Sequence, residues 1–248
     1  MTRNGAVQIE AMEARSVDEI PYGQEWQYEP KWDGFRCLIF RDSRSVKLQS
    51  KSGQDLTRYF PEIAAAAREL TETAFVLDGE LVVPVGKRLS FDDLLSRIHP
   101  AASRIERLSS EKPALFLAFD LLKRGKTDLA QAPLSKRRPE LEAFAKRCFK
   151  AAIPFRLSPM SSAPAAAKRW LALAGGGCDG VVAKRIDLPY QGGNREGMQK
   201  IKRDRPAGAY QRRSELYRKY AGRPEPMVNE ALGAVATREA EAGHRGLV

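Results

Sequence analysis

The sequence predicts an α+β protein, on three observations. Short runs rich in β-branched and aromatic residues recur along the chain. Two of them, at residues 37–40 and 46–48, flank the turn-like Asp42-Ser43-Arg44 in the pattern of a hairpin. Segments rich in strong helix formers lie between such runs, for example at residues 61–70 and 164–174. With 248 residues and 43% hydrophobic content, the chain can bury a real core, which excludes disorder over its whole length.

Residues 1–23 are polar with scattered apolar positions and read as a lead-in segment. The first strand begins near Trp26. The stretch Tyr28-Glu29-Pro30-Lys31-Trp32-Asp33-Gly34-Phe35-Arg36 then sets a lysine beside a carboxylate and a glycine at the mouth of a strand. Loops held by a rigid sheet place reactive groups in such positions. Lys31 is a candidate nucleophile there; taken alone it could equally be one more solvated cation in a basic protein.

The helix at 61–70 carries proline in its first turn, where the missing N–H costs nothing. Residues 74–77 and 81–83 read as strands interrupted or bent at Gly79, which presents Asp78 and Glu80 together. Ser90-Phe91-Asp92-Asp93 resembles a capping box for a short helix reaching about Ile98. Residues 115–122 form a buried strand with a single acid, Asp120. A helix starting at Ser135 has Leu141, Phe144 and Phe149 for its apolar side. A strand at 153–157 follows, then an alanine-rich helix at 164–174 closed by Gly175-Gly176-Gly177.

Asp179-Gly180-Val181-Val182-Ala183-Lys184-Arg185 has the form of an interior strand. Strict alternation puts Asp179, Val181 and Ala183 on one face, with Val182 and Lys184 on the other. In Met198-Gln199-Lys200-Ile201-Lys202 the same rule sets Lys200 and Lys202 side by side. A lysine in an apolar strand costs free energy unless an anion compensates it, so the two strands together predict an anion pocket.

Charge points the same way. A net charge of +11 and a pI near 9.7 suit a protein that meets a polyanion, with salt-sensitive phosphate contacts, although a basic surface serving only solubility has the same composition. Cys37, Cys148 and Cys178 are too far apart to suggest a zinc site or a disulfide framework and are expected to be reduced. No run of about 18 apolar residues exists, and residues 1–10 lack an apolar core suited to secretion, so a cytoplasmic protein is expected, with no membrane partner.

Lys31-Trp32-Asp33-Gly34-Phe35-Arg36, Asp78-Gly79-Glu80, Phe119-Asp120, the strand from Asp179 to Lys184, and Lys200-Ile201-Lys202 occur in the order of the motifs of covalent nucleotidyltransferases. From about Trp26 to Arg205 the chain resembles the adenylation domain of small bacterial ATP-dependent DNA ligases, including Leu56-Thr57-Arg58-Tyr59-Phe60-Pro61-Glu62 and Ile98-His99-Pro100. One K-x-D-G motif alone would be weak evidence; five motifs in order are not.

The resemblance implies a covalent nucleotidyltransferase fold, mostly antiparallel sheets flanked by helices, over residues 24–205. It implies that Lys31 attacks the α-phosphate of ATP, with Mg²⁺ or Mn²⁺, and becomes lysyl-AMP. By the same resemblance Glu29 recognises adenine, Phe119 stacks on it, Glu80 holds a ribose hydroxyl, and Arg36 contacts ribose and later the nucleic acid. Asp179 is the expected metal ligand, and Lys184, Lys200 and Lys202 the cations that offset phosphate charge.

Two departures stand out. Ser50-Lys51 occupies the place of a Ser-Arg pair, keeping the charge for nucleic-acid phosphate but losing the guanidinium fork. No OB-fold is recognisable after Arg205: residues 206–248 read as a basic tail, partly helical or disordered, with a basic helix over 211–220. The expected function is ATP-dependent nick sealing in DNA repair by a monomer acting on nicked double-stranded DNA, with other repair proteins as further partners. The alternatives are an RNA ligase or capping-type nucleotidyltransferase, and a nucleotide- or DNA-binding remnant without sealing activity.

Overall fold

The structure is a computed structural model that describes residues 9–149, 154–173 and 177–202. The expected tail at 206–248 with its basic helix, the glycines at 175 and 176, and the start of the strand expected at 153 lie outside the described residues. In chain order the elements are β1 (Arg15–Ser16), β2 (Trp26–Trp32), β3 (Phe35–Arg41), β4 (Val46–Ser50), α1 (Pro61–Glu69), β5 (Phe75–Val82), β6 (Pro84–Val85), β7 (Arg88–Leu89) and α2 (Phe91–Leu95). They continue as α3 (Ala102–Glu111), β8 (Leu115–Arg124), β9 (Thr127–Asp128), α4 (Leu134–Cys148), β10 (Phe155–Leu157), α5 (Pro164–Ala172), β11 (Cys178–Arg185) and β12 (Met198–Lys202). None of the described helices is long and apolar enough to cross a membrane.

Two sheets carry the fold. One runs β1-β12-β11-β2, antiparallel except for the β1–β12 pair. The other runs β10-β8-β5-β3-β4, antiparallel except for β10–β8, with β9 paired to β8. The architecture is α+β, with the mostly antiparallel sheets that the motifs imply.

Period-two alternation explains how one sheet serves two purposes. On β5, Phe75, Leu77 and Leu81 belong to the main core with Ile63, Phe116, Leu141 and Phe144, from α1, β8 and α4. The intervening Val76 packs instead toward Leu38, Leu122, Met12, Tyr190 and Met198, on the face turned to the other sheet. Asp78 and Glu80 follow Val76 on that face. The first sheet has its own core, in which Trp26, Tyr28, Val181, Ala183 and Ile201 meet Ala167 of α5. Each fully buried large apolar side chain contributes roughly 1.5–3 kcal/mol of transfer free energy.

Two expectations change. The strands expected on either side of Gly79 are one unbroken β5, with register shifts against β8 on both sides of the Leu77–Asp78 step. A Cβ at residue 79 would lie 2.4 Å from Phe116 Cζ and 2.7 Å from the Leu117 carbonyl oxygen, so the glycine permits close strand approach rather than a break. α2 is capped as expected, with Ser90 Oγ accepting from the Asp93 N–H at 3.2 Å, but ends at Leu95. The chain continues through Ile98 in tighter turns, Arg97 N–H bonding to Leu94 and Ile98 N–H to Leu95.

Candidate active site

Strands β2 and β3 belong to different sheets and are joined by Asp33-Gly34 alone. The link is tight: a Cβ on Gly34 would sit 2.2 Å from the Leu81 carbonyl oxygen and 2.8 Å from Glu80 Cγ. Lys31 therefore lies one residue before the end of β2, and Arg36 one residue after the start of β3, across a connection too narrow for any side chain at position 34. Between them opens a cavity of about 330 Å³, within the range of small-molecule sites.

The cavity wall includes Glu29, Lys31, Lys184, Asp179 and Lys200 from the first sheet, and Arg36, Glu80, Phe119 and Lys51 from the second sheet and its loops. Every residue expected at the site lines it except Lys202, which is exposed at the end of β12, paired with Gly180. Register accounts for the first group: on antiparallel β2 and β11, Glu29 lies opposite Val182, and Lys31 opposite Gly180.

Asp179 is a correction to strict alternation. A β-bulge between Cys178 and Gly180 shifts the register, and Asp179 lines the cavity with Val182 and Lys184, while Val181 and Ala183 enter the core. Its carboxylate then meets Lys31, Nζ to Oδ2, at 2.9 Å.

Glu29 and Lys184 pair at 2.7 Å deep in the wall, and the Gln27 side-chain amide donates to the other Glu29 oxygen at 2.8 Å. Phe119 lies beneath two cations, Lys184 Nζ at 4.4 Å and the Arg36 guanidinium at 4.5 Å from its ring centroid. Arg36 forks onto Asp78 through Nε at 2.5 Å and Nη2 at 2.6 Å. Burial opposes the charged guanidinium, but the Asp78 carboxylate outweighs it and raises the Arg36 pKa. Loss of water pushes the Glu80 carboxyl up to about 8, against the pull of Arg36 and Lys31. Desolvation and the charges of Lys31 and Lys200 bring Lys202 down to about 8, and Lys200 is lowered by burial and then by Lys51.

Several supporting residues carry no sequence signal of their own. The Tyr190 hydroxyl donates to Asp78 at 2.6 Å and accepts from the Met12 N–H at 2.9 Å, so it supports the acid that holds Arg36. Met12, Glu13 and Ala14, from the stretch read as a lead-in, line the cavity, and Glu13 pairs with Lys51. Asp120, beside Phe119, faces away from the site and forms a buried fork with Arg137 at 2.9 Å, fixing β8 to α4. The three cysteines are free, with Cys37 and Cys148 buried.

The geometry can seat a flat base against Phe119, hold hydroxyls at Glu80, and bring several cations to a phosphate beside an amine. A family model described as the ATP dependent DNA ligase domain matches residues 10–202. DNA ligase C2 of Mycolicibacterium smegmatis is 44% identical over 200 residues, covering 80% of this chain and 55% of that protein. The multifunctional non-homologous end joining protein LigD of Mycobacterium bovis is 35% identical over 171 residues, 69% of this chain and 20% of the relative. A solved structure of mycobacterial DNA ligase D complexed with ATP and MES superposes with a TM-score of 0.61 at 29% identity, covering 78% of this chain and 60% of that one. The chain thus spans about half the length of ligase C2 and a fifth of LigD.

Proposed function

This chain belongs to the ATP-dependent DNA ligase domain family, and from that premise we propose that it takes AMP from ATP onto Lys31 and passes it to the 5′-phosphate of nicked double-stranded DNA. The observation that carries the reading is the placement of Lys31 Nζ in the wall of a cavity, 2.9 Å from Asp179, where cationic and aromatic residues of both sheets converge. The neutral Lys31 amine attacks the α-phosphorus: a P–N bond forms, the bond to the bridging oxygen breaks, and pyrophosphate leaves with the electron pair. The amine's extra proton goes to solvent. The DNA 5′-phosphate then attacks the same phosphorus, the P–N bond breaks and the Lys31 amine leaves and takes up a proton. Finally a 3′-hydroxyl, giving its proton to solvent, attacks the 5′-phosphorus and expels AMP to seal the nick.

The residues divide this work. Adenine seats against Phe119 and is read by Glu29, which requires Lys184 to leave both the ring and the Glu29 carboxylate and requires adenine to share the ring with, or displace, the Arg36 guanidinium. The freed ammonium is then available to the α-phosphate, so nucleotide binding exchanges one ion pair for another. Glu80 accepts from ribose, Arg36 is held in place by Asp78, and Lys200 and Lys202 offset charge that builds on the phosphate oxygens. Asp179 orients the amine.

The donor chemistry fits Mg²⁺ arriving on ATP. Asp179 supplies a hard oxygen, and no cluster of three or more metal-binding side chains exists among the described residues, so phosphate and water would complete the shell. The metal, when bound, would offset phosphate charge. Further roles in DNA repair with partner proteins, action as a monomer and a cytoplasmic setting belong to the same proposal.

Incubation with labelled ATP and Mg²⁺ is expected to give a covalent adduct on the chain, absent in Lys31→Ala and not formed from GTP. An adduct that survives Lys31→Ala, or none with any divalent metal, would overturn the reading.

A further inference from the structure

At the outer lip of the cavity, one carboxylate bridges two cations that come from distant parts of the chain. Glu13 Oε1 lies 2.8 Å from Lys51 Nζ, just after β4, and Glu13 Oε2 accepts from Arg195 Nε at 2.9 Å, in the loop between β11 and β12. Lys200 lies close enough to have its charge disfavoured by both Lys51 and Arg195 and favoured by Glu13. Glu13 and Lys51 line the cavity that contains Lys31.

The carboxylate is not a wandering surface group. Glu13 N–H donates to the Asn194 carbonyl at 2.8 Å, and the preceding Met12 N–H is held by Tyr190 at 2.9 Å. Two residues further on, Arg15 and Ser16 pair with β12. Asn194 in turn fixes the loop, its side-chain oxygen accepting from the Arg195 N–H at 2.6 Å and the Glu196 N–H at 3.0 Å. Backbone contacts on both sides thus aim Glu13 between the two cations.

Three features identify what this arrangement is for. Two oxygens of one anionic group each meet a separate cation, as two oxygens of a phosphate diester or monoester would. The cations are half-exposed or more, 49% for Lys51 and 69% for Arg195, so an incoming strand can reach them. Exposed ion pairs are weak, so a phosphate can displace the carboxylate.

We infer that Arg195 joins Lys51, already expected from the resemblance to meet nucleic-acid phosphate, in a seat for a phosphate of the nicked duplex, and that Glu13 is its resident anion, displaced when DNA docks. This inference rests on the proposed ligase reading. Glu13 therefore competes with DNA from within the chain. It keeps the seat assembled without DNA, and its displacement ties strand engagement to the segment held by the Tyr190 hydroxyl, which in turn bonds Asp78. The β- and γ-phosphates of ATP share the same chemistry, and the test separates the two sources.

The full chain and its Glu13→Gln, Glu13→Ala and Arg195→Ala variants would be compared at two steps. First, binding of a fluorescent nicked duplex is titrated at several salt concentrations. Glu13→Gln, which keeps the shape but not the charge, is expected to tighten binding about 3- to 10-fold. Arg195→Ala should weaken it and lower the slope of log affinity against log salt by about one. Second, enzyme preloaded with labelled AMP is mixed with the duplex, and transfer is scored per loaded molecule; Arg195→Ala should slow transfer at subsaturating DNA. A rise in the KM for ATP in Arg195→Ala without any change in DNA binding would overturn the inference, because the seat would then belong to the nucleotide. Unchanged or weaker binding by both Glu13 variants would overturn it as well. Failure of the unaltered chain to form lysyl-AMP would instead count against the parent reading, since DNA binding does not require that adduct.

Discussion

Replacing Lys184 by Met tests the most deeply buried ion pair of the cavity. The two side chains are 6% and 2% exposed and their charged atoms lie 2.7 Å apart. Without the ammonium, Glu29 retains one neutral donor, the Gln27 amide at 2.8 Å, and the Phe119 ring loses a cation. Removing one partner of a buried pair costs about 3–5 kcal/mol, and the surviving amide bond argues for the lower end, about 3 kcal/mol. At about 2–4 °C per kcal/mol for a domain of this size, Lys184→Met should melt about 6–12 °C below the parent. Glu29→Leu combined with Lys184→Met removes both charges and should recover most of that loss, since apolar replacements of buried pairs are close to neutral. Calorimetry without nucleotide, with urea unfolding as a check, measures both. A shift under about 2 °C for the single variant, or a double variant no more stable than the single, would refute the reasoning.

Two further outcomes follow from the geometry. Gly34→Ala would push a methyl against the Leu81 carbonyl, only 2.2 Å from the ideal Cβ position; it should cost about 1–3 kcal/mol and cut lysyl-AMP formation about 100-fold by displacing Lys31. Glu80, with a folded pKa of about 8 against an ordinary value of 4.5, gives stability that is full below pH 4.5 and lost as pH rises through 8. Glu80→Gln should therefore flatten the decline in melting temperature between those values, and an unchanged decline would assign it to other groups.

Much of the site was legible because its residues sit in short local motifs whose chemistry is recognisable in order. Lys31, Glu80 and Phe119 stood out through the order of the motifs rather than through any one of them. Asp78 and Glu80 were expected together from a bend at Gly79, whereas it is the alternation along an unbroken β5 that sets them on one face. Asp179 shows where such reasoning fails: a bulge adds a residue to one strand, and the period-two rule reverses beyond it. Tyr190 was illegible for another reason. Its partners, Met12 and Asp78, are 178 and 112 residues away in sequence, and an isolated tyrosine in a loop has no periodicity to betray a buried role. Glu13 was hidden likewise, since its meaning comes from cations contributed by two loops. The longer strands were readable one by one, but the two-residue strands β1, β6, β7 and β9, the helix α3, and the pairing that joins β1 to β12 and so brings the lead-in to the cavity were not.

The two-residue link between β2 and β3 has a consequence for how the protein can be handled. A molecule seated in the cavity, which the link itself helps to line, touches both sheets at once and fastens them from the inside. Reversible ligands raise the melting point only in proportion to the logarithm of their concentration over Kd. A nucleotide attached to Lys31 cannot be diluted away, so its contribution persists at any concentration. Charged and uncharged molecules in one preparation should then melt as two populations, and the relative heights of the two transitions would report how much of the purified protein already carries its nucleotide.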